Sequence, residues 1–210
     1  MKWRFSGLRN PFASLVKPEL WGPPFLAKSS GNVRELAEEH WKGLMERLSG
    51  HPDLQLWLQK RFPQHARKEY SLLLPQILYM WDSVDPFEEI SLYAKIIQRE
   101  LVVSSATLIV KPHPRDSLAR LALLKTLVPE TNSERIIFLE PDMFSALPAE
   151  LLLNYLPIRS VVGFFSTSML AVCSASNLSV RAYTSPAFSI RLRKKIERLA
   201  YIGDYDVIEL

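Results

Sequence analysis

The chain has 210 residues, of which 48% are hydrophobic and 23% are charged, and its formal net charge is +4. This is a globular composition, and it excludes a disordered tail, a fibrous repeat and a polytopic membrane protein. At roughly 100–200 residues per domain, the length allows one domain, or one domain with an appendage. The single cysteine, Cys173, excludes an intramolecular disulfide and a paired-cysteine metal site, and it indicates a reducing compartment.

Charge is unevenly distributed, because both ends of the chain are basic and the middle is acidic. A nucleic-acid binder is expected to present a dense basic stripe with aromatic platforms, and here there is only one short basic run, at residues 191–198. We interpret that run as a solvated helix face, with contact to an anionic membrane as the alternative. The N-terminal sequence lacks the apolar core of a signal peptide. We therefore expect a cytoplasmic protein that binds no nucleic acid, with residues 191–198 as the candidate for peripheral membrane contact.

The four histidines show no spacing typical of metal ligands, and no metal or other cofactor is expected. They are His40, His51, His65 and His113. His40 falls on an apolar helix face and is interpreted as a core residue, while His51 and His65 stand beside prolines in turn-like contexts.

Residues 1–70 are predicted as an N-terminal arm with a helical segment. The first thirty residues are rich in proline and aromatic residues and have no regular periodicity, which favours irregular structure. Residues 33–48 place apolar side chains on one helical face. Asn32 with Glu35 forms a capping box ahead of this helix, and Gly50 is the stop.

From residue 71 onward, short apolar runs alternate with amphipathic segments. The predicted strands are residues 72–79, 106–110, 136–139, 161–165 and 179–183. The predicted helices are residues 86–101, capped by Asp85, and residues 117–128, 148–156 and 167–176. Continuous apolar strands that alternate with helices are typical of a parallel sheet covered on both faces. We therefore predict a Rossmann-like, doubly wound α/β domain over residues 71–210.

Two of the predicted strands end in polar turns, and ligands bind at the carboxyl ends of such strands. The first turn, Lys111-Pro112-His113-Pro114, holds a histidine between two prolines that restrict the backbone. The second, Ser166-Thr167-Ser168, presents hydroxyl and N–H groups where a helix begins, which suits an anion. We expect these turns at adjacent strand ends, as two halves of a phosphate clamp.

Each of the two turns also has a purely structural interpretation. Ser166 taken alone is more often a helix cap than a ligand-binding residue. The first turn taken alone is equally well a rigid turn with a solvated histidine. Glycine-rich phosphate loops are absent from the sequence, which argues against dinucleotide binding and P-loop chemistry. A serine hydrolase is disfavoured, because Ser166 is not in a GxSxG elbow.

Three segments carry a resemblance to a known family: LIVKPHPRD (108–116), IIFLEPDMFSALPAELLL (136–153) and VVGFFSTSMLAV (161–172). They resemble the donor-nucleotide half of bacterial capsule and lipooligosaccharide sialyltransferases of the alpha-2,8-polysialyltransferase-like group. The resemblance implies one half of a GT-B-type glycosyltransferase. It also implies an inverting, metal-independent enzyme that uses CMP-sialic acid to sialylate a surface glycan.

The resemblance assigns roles to individual residues. In such enzymes the histidine of the first motif contacts the CMP phosphate and stabilises the leaving group, and the Ser/Thr motif binds the same phosphate. His113 is therefore expected to be catalytic, acting as a cationic imidazole beside hydroxyl and N–H donors. Gln76 is expected to approach the nucleotide only because it lies at the end of the first predicted strand. The expected donor-binding residues are Gln76, Lys111, His113, Pro114, Glu150, Ser166, Thr167 and Ser168.

The chain also departs from the family pattern. Such enzymes have an acceptor-binding domain with a carboxylate base in an acidic-acidic-Gly motif, and the sequence contains none; Glu38-Glu39 is followed by His40. We expect a second domain or a partner chain to supply the base. Three alternatives stay open at this stage: a transferase for a CMP-Kdo or CDP-polyol donor, a non-catalytic nucleotide-binding module of polysaccharide assembly, and an unrelated α/β domain.

Overall fold

The computed structural model of the protein describes residues 42–63, 68–80, 84–140, 147–166, 168–169 and 178–210. The N-terminal arm, His40, His65, Thr167 and most of the predicted helix 167–176 lie outside the described residues. Two compact units divide the chain between Gln59 and Lys60. The division at residues 70 and 71 that the sequence suggests stays a prediction.

The described part of the first unit is helical. Helix α1 covers residues 42–49, and Gly50 ends it with an N–H that donates to the Glu46 carbonyl over 3.0 Å. Leu44, Met45 and Leu48 are buried, which agrees with the predicted apolar face. Helix α2, Pro52–Arg61, begins with proline at its first position, where the missing N–H costs nothing.

The second unit is built on a six-stranded sheet in the order β3-β2-β1-β4-β5-β6, with every neighbouring pair parallel. This is the strand order of the doubly wound Rossmann fold, so the predicted fold class is confirmed. The strand order turns back between β1 and β4, and this switch point is where such sheets bind ligands. The strands are β1 (Tyr70–Leu73), β2 (Thr107–Val110), β3 (Ile136–Phe138), β4 (Ile158–Gly163), β5 (Ser179–Thr184) and β6 (Asp206–Glu209).

Helices connect the strands where the sequence predicts them. Asp85 caps α3 by accepting the N–H groups of Phe87 and Glu88 over 2.8 and 3.1 Å. Ser117 caps α4 by accepting the N–H of Arg120 over 3.2 Å. The described helices of this unit are α3 (Pro86–Val103), α4 (Leu118–Thr126), α5 (Glu150–Tyr155) and α6 (Ile190–Gly203), with 3-10 helices at Leu78–Met80 and Glu130–Arg135.

Two strands differ from the prediction in extent, and one strand was not predicted. Strand β1 stops before Pro75, which has no N–H to continue the ladder, so residues 74–79 are not strand. Strand β4 starts at Ile158, three residues before the predicted start. Arg159 interrupts the apolar run there, but its side chain is exposed and pairs with Glu69 over 2.8 Å, so the strand accommodates it. Strand β6 has mostly exposed side chains and therefore no apolar run in the sequence.

A buried ion pair near the C-terminal end of α3 ties that helix to the sheet. The Glu100 carboxylate is 2% exposed and accepts hydrogen bonds from Arg181 Nη2 over 2.5 Å and from the Tyr183 hydroxyl over 2.6 Å. Ser160, also in contact with Arg181, donates to Ser71 on β1 over 2.8 Å. Because the buried carboxylate is satisfied by both a cation and a hydroxyl, this network stabilises the packing of α3 on β5.

Candidate functional site

The two polar turns lie at the same edge of the sheet, on either side of β1. Lys111 directly follows β2, and Ser166 follows β4 by three residues. The strands are parallel, so both turns lie at their C-terminal ends. The expectation of adjacent strand ends is wrong, because β1 pairs with both strands and separates them by two strand spacings, about 10 Å. The end of β1 therefore forms the floor between the two turns.

The first turn is held tightly against that floor. The backbone N–H of Lys111 donates to the Leu73 carbonyl of β1 over 3.0 Å, and the Lys111 side chain is buried. The His113 carbonyl accepts the N–H of Asp116 over 2.8 Å, and its ring Nδ1 accepts the N–H of Arg115 over 3.1 Å. A neutral imidazole that accepts at Nδ1 carries its proton on Nε2, so the geometry selects the Nε2–H tautomer.

Burial lowers the pKa of His113 from 6.5 to about 4, and the positive charges of Lys111, Arg115 and Arg120 act in the same direction. The imidazole is therefore neutral at pH 7. The cationic imidazole expected from the sequence, as negative charge develops on a phosphate, stays a prediction. An anion next to the ring would offset these three charges and raise the pKa of His113.

The second turn is a helix cap. The buried Ser166 hydroxyl accepts the N–H of Met169 over 3.0 Å, as the capping interpretation of this serine predicts. Its own proton stays available to donate, because a hydroxyl both accepts and donates. Gly163 allows the close packing below the turn: a Cβ there would lie 3.0 Å from the Leu74 carbonyl oxygen. Thr167, the other half of the motif, lies outside the described residues.

Glu150 links the two turns. Its carboxylate accepts a hydrogen bond from the Ser168 side chain and lies within electrostatic reach of Lys111. Burial nevertheless raises the pKa of Glu150 above its ordinary value, since desolvation outweighs these favourable contacts. Its buried Oε2 has no hydrogen-bond partner in the described part of the chain. A buried acceptor of this kind is a place where a ligand hydroxyl gains a hydrogen bond.

The floor between the turns is shaped by Gln76 and Tyr93. The Tyr93 hydroxyl accepts the Gln76 backbone N–H over 2.6 Å and lies 3.3 Å from the Gln76 carbonyl. The Tyr93 ring packs on Phe164 with 4.6 Å between centroids. Gln76 thus lies in the loop after β1, three residues beyond the last residue of the strand. Its side-chain amide contacts only the Pro75 carbonyl, at 3.4 Å, among the described residues.

Three charged residues close to His113 were not singled out by the sequence. Glu89 is fully buried. Arg120 contacts the Glu89 carboxylate through Nη2 at 3.1 Å and the Asp116 carboxylate through Nε at 2.9 Å. The sequence hides the cluster, because Glu89 and Arg120 look like ordinary surface charges on two separate helices and Asp116 like a turn residue. Pro114, by contrast, is exposed in the turn, so its contribution there is to restrict the backbone.

Four of the eight residues that the sequence predicted lie near one another. Glu150 is within hydrogen-bond reach of Ser168 and electrostatic reach of Lys111, and His113 lies within the field of Lys111. Ser166 anchors the second turn across β1. The arrangement offers an imidazole N–H, a hydroxyl and a buried cation at the switch point, which suits an anionic ligand with hydroxyl groups.

Comparisons with known proteins bear on what this site binds. The family model described as Alpha-2,8-polysialyltransferase (POLYST) matches residues 6–180, which is more than half of the chain and includes both turns. A search of curated proteins finds no relative that matches significantly. Within the described ranges, no helix is both long and apolar enough to cross a membrane.

Proposed function

The chain belongs to the alpha-2,8-polysialyltransferase family, and from that premise we propose that its α/β unit binds CMP-sialic acid at the C-terminal edge of the sheet. The reaction we propose is inverting sialyl transfer to a surface glycan without a metal ion. The observation that carries the proposal is the pair of turns at His113 and Ser166, which face the switch point from both sides of β1.

The leaving group sets what the site must do. When the bond between the sialic acid anomeric carbon and the CMP phosphate oxygen breaks, the electron pair goes to the phosphate, and an acceptor hydroxyl forms the new bond and gives up its proton. Hydrogen-bond donors next to that phosphate lower the activation free energy of transfer only if they bind the phosphate more strongly in the transition state than in the intact donor. The Nε2–H of His113 and the Ser166 hydroxyl are such donors in this proposal.

His113 has an additional role that follows from its low pKa. A neutral imidazole binds the diester of the intact donor through one N–H. As the phosphate gains charge, it stabilises the cationic form of the ring, which takes up a proton from water. Because Nε2 already carries a proton, the new proton goes to Nδ1, and the Arg115 N–H gives up its hydrogen bond to that nitrogen. The site would thus bind the leaving phosphate better than the intact donor, which is the condition for catalysis.

Glu150 and Lys111 complete the proposed donor site. Glu150 Oε2, which has no hydrogen-bond partner among the described residues, would accept a hydrogen bond from a hydroxyl group of the bound nucleotide sugar. The hydrogen bond from Ser168 orients the carboxylate. The Lys111 charge, buried next to this carboxylate, balances it and adds to the positive potential at the phosphate.

The acceptor half of the reaction is proposed to require further protein. A carboxylate base and a glycan site are needed for transfer, and we assign both to a second domain or a partner chain. The expected result is CMP binding by this chain without transfer, and transfer once that part is supplied. Transfer by the 210-residue chain alone that is lost when one of its own carboxylates is replaced by an amide would place the base inside the chain.

Calorimetric titration with CMP, UMP and CDP tests the donor proposal. We expect CMP to bind more tightly than UMP or CDP, and His113→Ala to weaken CMP binding. Preference for CDP would favour a CDP-polyol donor, and competition between CMP-sialic acid and CMP-Kdo separates the two CMP sugars. Equal CMP affinity of the wild type and His113→Ala would refute the assignment of this turn to the phosphate.

We further propose peripheral contact between α6 and the cytoplasmic face of a membrane. Four exposed basic side chains lie on this helix, and the Lys195 ammonium also lies 4.4 Å from the Phe165 ring beside the second turn. Clustered basic residues attract anionic lipids. Liposome flotation tests this: binding should depend on anionic lipid and fall with salt, and binding independent of lipid charge would overturn it. The four residues are Arg191, Lys194, Lys195 and Arg198.

A further inference from the structure

A buried carboxylate on α3 holds the loop that follows β1. Glu89 is fully buried, and its two oxygens accept the N–H groups of Leu78 and Tyr79 over 3.0 Å each. One turn further along the same helix face, Tyr93 contacts both backbone groups of Gln76. The loop at the floor of the donor site is therefore fixed by two side chains of α3.

Arg120 connects that loop to the turn that carries His113. Its Nη2 contacts the Glu89 carboxylate over 3.1 Å, and its Nε lies 2.9 Å from the Asp116 carboxylate. The Asp116 N–H in turn donates to the His113 carbonyl over 2.8 Å. The guanidinium also lies over the Tyr79 ring, 5.0 Å from its centroid. One side chain thus joins the loop after β1 to the turn after β2.

A small cavity marks the same junction. It has a volume of about 10 Å³, enough for roughly one water molecule, and its lining includes Pro75 from the loop after β1, Pro112 from the turn after β2, and Arg120. Both segments therefore border the same small cavity, and Arg120 forms part of its wall.

We propose that Arg120 is a positioning residue of the donor site, which holds the His113 turn and the Gln76 loop at a fixed separation through Asp116 and Glu89. The expected effect on donor binding rests on the proposed function. The positioning geometry rests on the contacts of Arg120 described above. Arginine suits the role, because its planar fork contacts two carboxylates from different nitrogens while its face lies on an aromatic ring. A lysine ammonium is a single point and cannot reproduce these three contacts.

Arg120 also acts on the His113 ring through its charge. The charged groups that act on this imidazole are Lys111, Arg115 and Arg120, and all three lower its pKa. The carboxylates of Asp116 and Glu89 both contact the Arg120 guanidinium. Replacement of Arg120 by a neutral side chain is therefore expected to raise the His113 pKa, while Arg120→Lys preserves the charge and alters only the geometry.

The experiment compares Arg120→Lys and Arg120→Met with Arg181→Lys, a matched control. Arg181 also pairs with a buried glutamate of α3, but near the other end of that helix, so both sites should lose stability when substituted. We expect Arg120→Lys to bind CMP about tenfold more weakly, as loss of a coupled contact of about 1.4 kcal/mol would give. Arg181→Lys should bind within about twofold of the wild type, since it lies outside the donor site.

Two readouts that need no ligand accompany the titrations. Amide exchange at Leu78 and Tyr79 should accelerate in both Arg120 variants and not in Arg181→Lys. The His113 pKa, followed by NMR of the ring, should rise in Arg120→Met. If Arg120→Met does not fold, Arg120→Lys carries both the exchange and the affinity tests.

The possible failures are distinct. A wild-type chain that does not bind CMP would refute the proposed function, while faster exchange at Leu78 and Tyr79 would still support the positioning role. Unchanged exchange in Arg120→Lys would overturn the positioning role. So would equal losses of CMP affinity in Arg120→Lys and Arg181→Lys, because that result is what a purely structural role predicts.

Discussion

The low pKa of His113 predicts that CMP binding is linked to proton uptake. In the ligand-free chain the pKa is about 4. If the bound phosphate restores it to the ordinary value of about 6.5, the imidazole is neutral before binding and largely cationic after binding at pH 5.5. The affinity should then increase by about tenfold between pH 7.5 and pH 5.5, because the bound state alone gains a proton in that range.

The assay is isothermal titration of CMP at both pH values, with His113→Gln as the control. The phosphate of CMP itself takes up a proton near pH 6, so the raw pH dependence contains a second contribution. His113→Gln keeps a side-chain N–H donor and cannot become cationic, so the difference between the two proteins isolates the imidazole. Parallel pH dependence in the wild type and in His113→Gln would refute the reasoning.

Three further outcomes follow from the structure. Ser189 caps α6 by accepting the N–H of Leu192 over 3.1 Å, as Ser166 caps the helix after β4. Ser166→Ala and Ser189→Ala should each lower the free energy of unfolding by about 1 kcal/mol, but only Ser166→Ala should also weaken CMP binding. Equal effects of the two substitutions on CMP binding would contradict the assignment. Gly163→Ala should destabilise the chain by about 1–3 kcal/mol, because the new Cβ meets the Leu74 carbonyl, and an unchanged urea midpoint would contradict this. The free energy of unfolding should fall as the pH drops from 6.5 toward 4, because His113 takes up a proton in the unfolded chain at a higher pH than in the folded chain. In His113→Gln, the free energy of unfolding should depend less on pH over that range.

The parts of the fold that were predictable have local causes. Asp85-Pro86 is a capped helix start whatever surrounds it, and α3 begins there. Apolar runs such as Thr107–Val110 are buried on both faces, so composition alone identifies them. Strand β6 was missed because an edge strand with exposed side chains has no apolar run, and β1 was predicted too long because its apolar run continues past Pro75.

The features of the candidate site also divide into those that a local sequence pattern predicts and those that depend on the packing of distant residues. The motif residues Lys111 and His113 can be recognised because a turn between prolines at a strand end is a local pattern. The state of the imidazole is only partly local, because burial is the main cause of its low pKa and the distant Arg120 adds to the effect of its neighbours Lys111 and Arg115. The contact between Arg120 and Glu89 joins residues of two different helices and needs the packing of α3 against α4. Chemistry that depends on burial or on such pairs appears only with the three-dimensional structure.

In the proposed donor site, the His113 and Ser166 turns bind one phosphate across the end of β1. A crystal structure of the chain with CMP would show this. We expect phosphate oxygens within about 3 Å of both His113 Nε2 and the Ser166 hydroxyl, with the nucleotide at the switch point between β1 and β4. A phosphate that contacts only one of the two turns, or a CMP molecule bound elsewhere on the sheet, would contradict it.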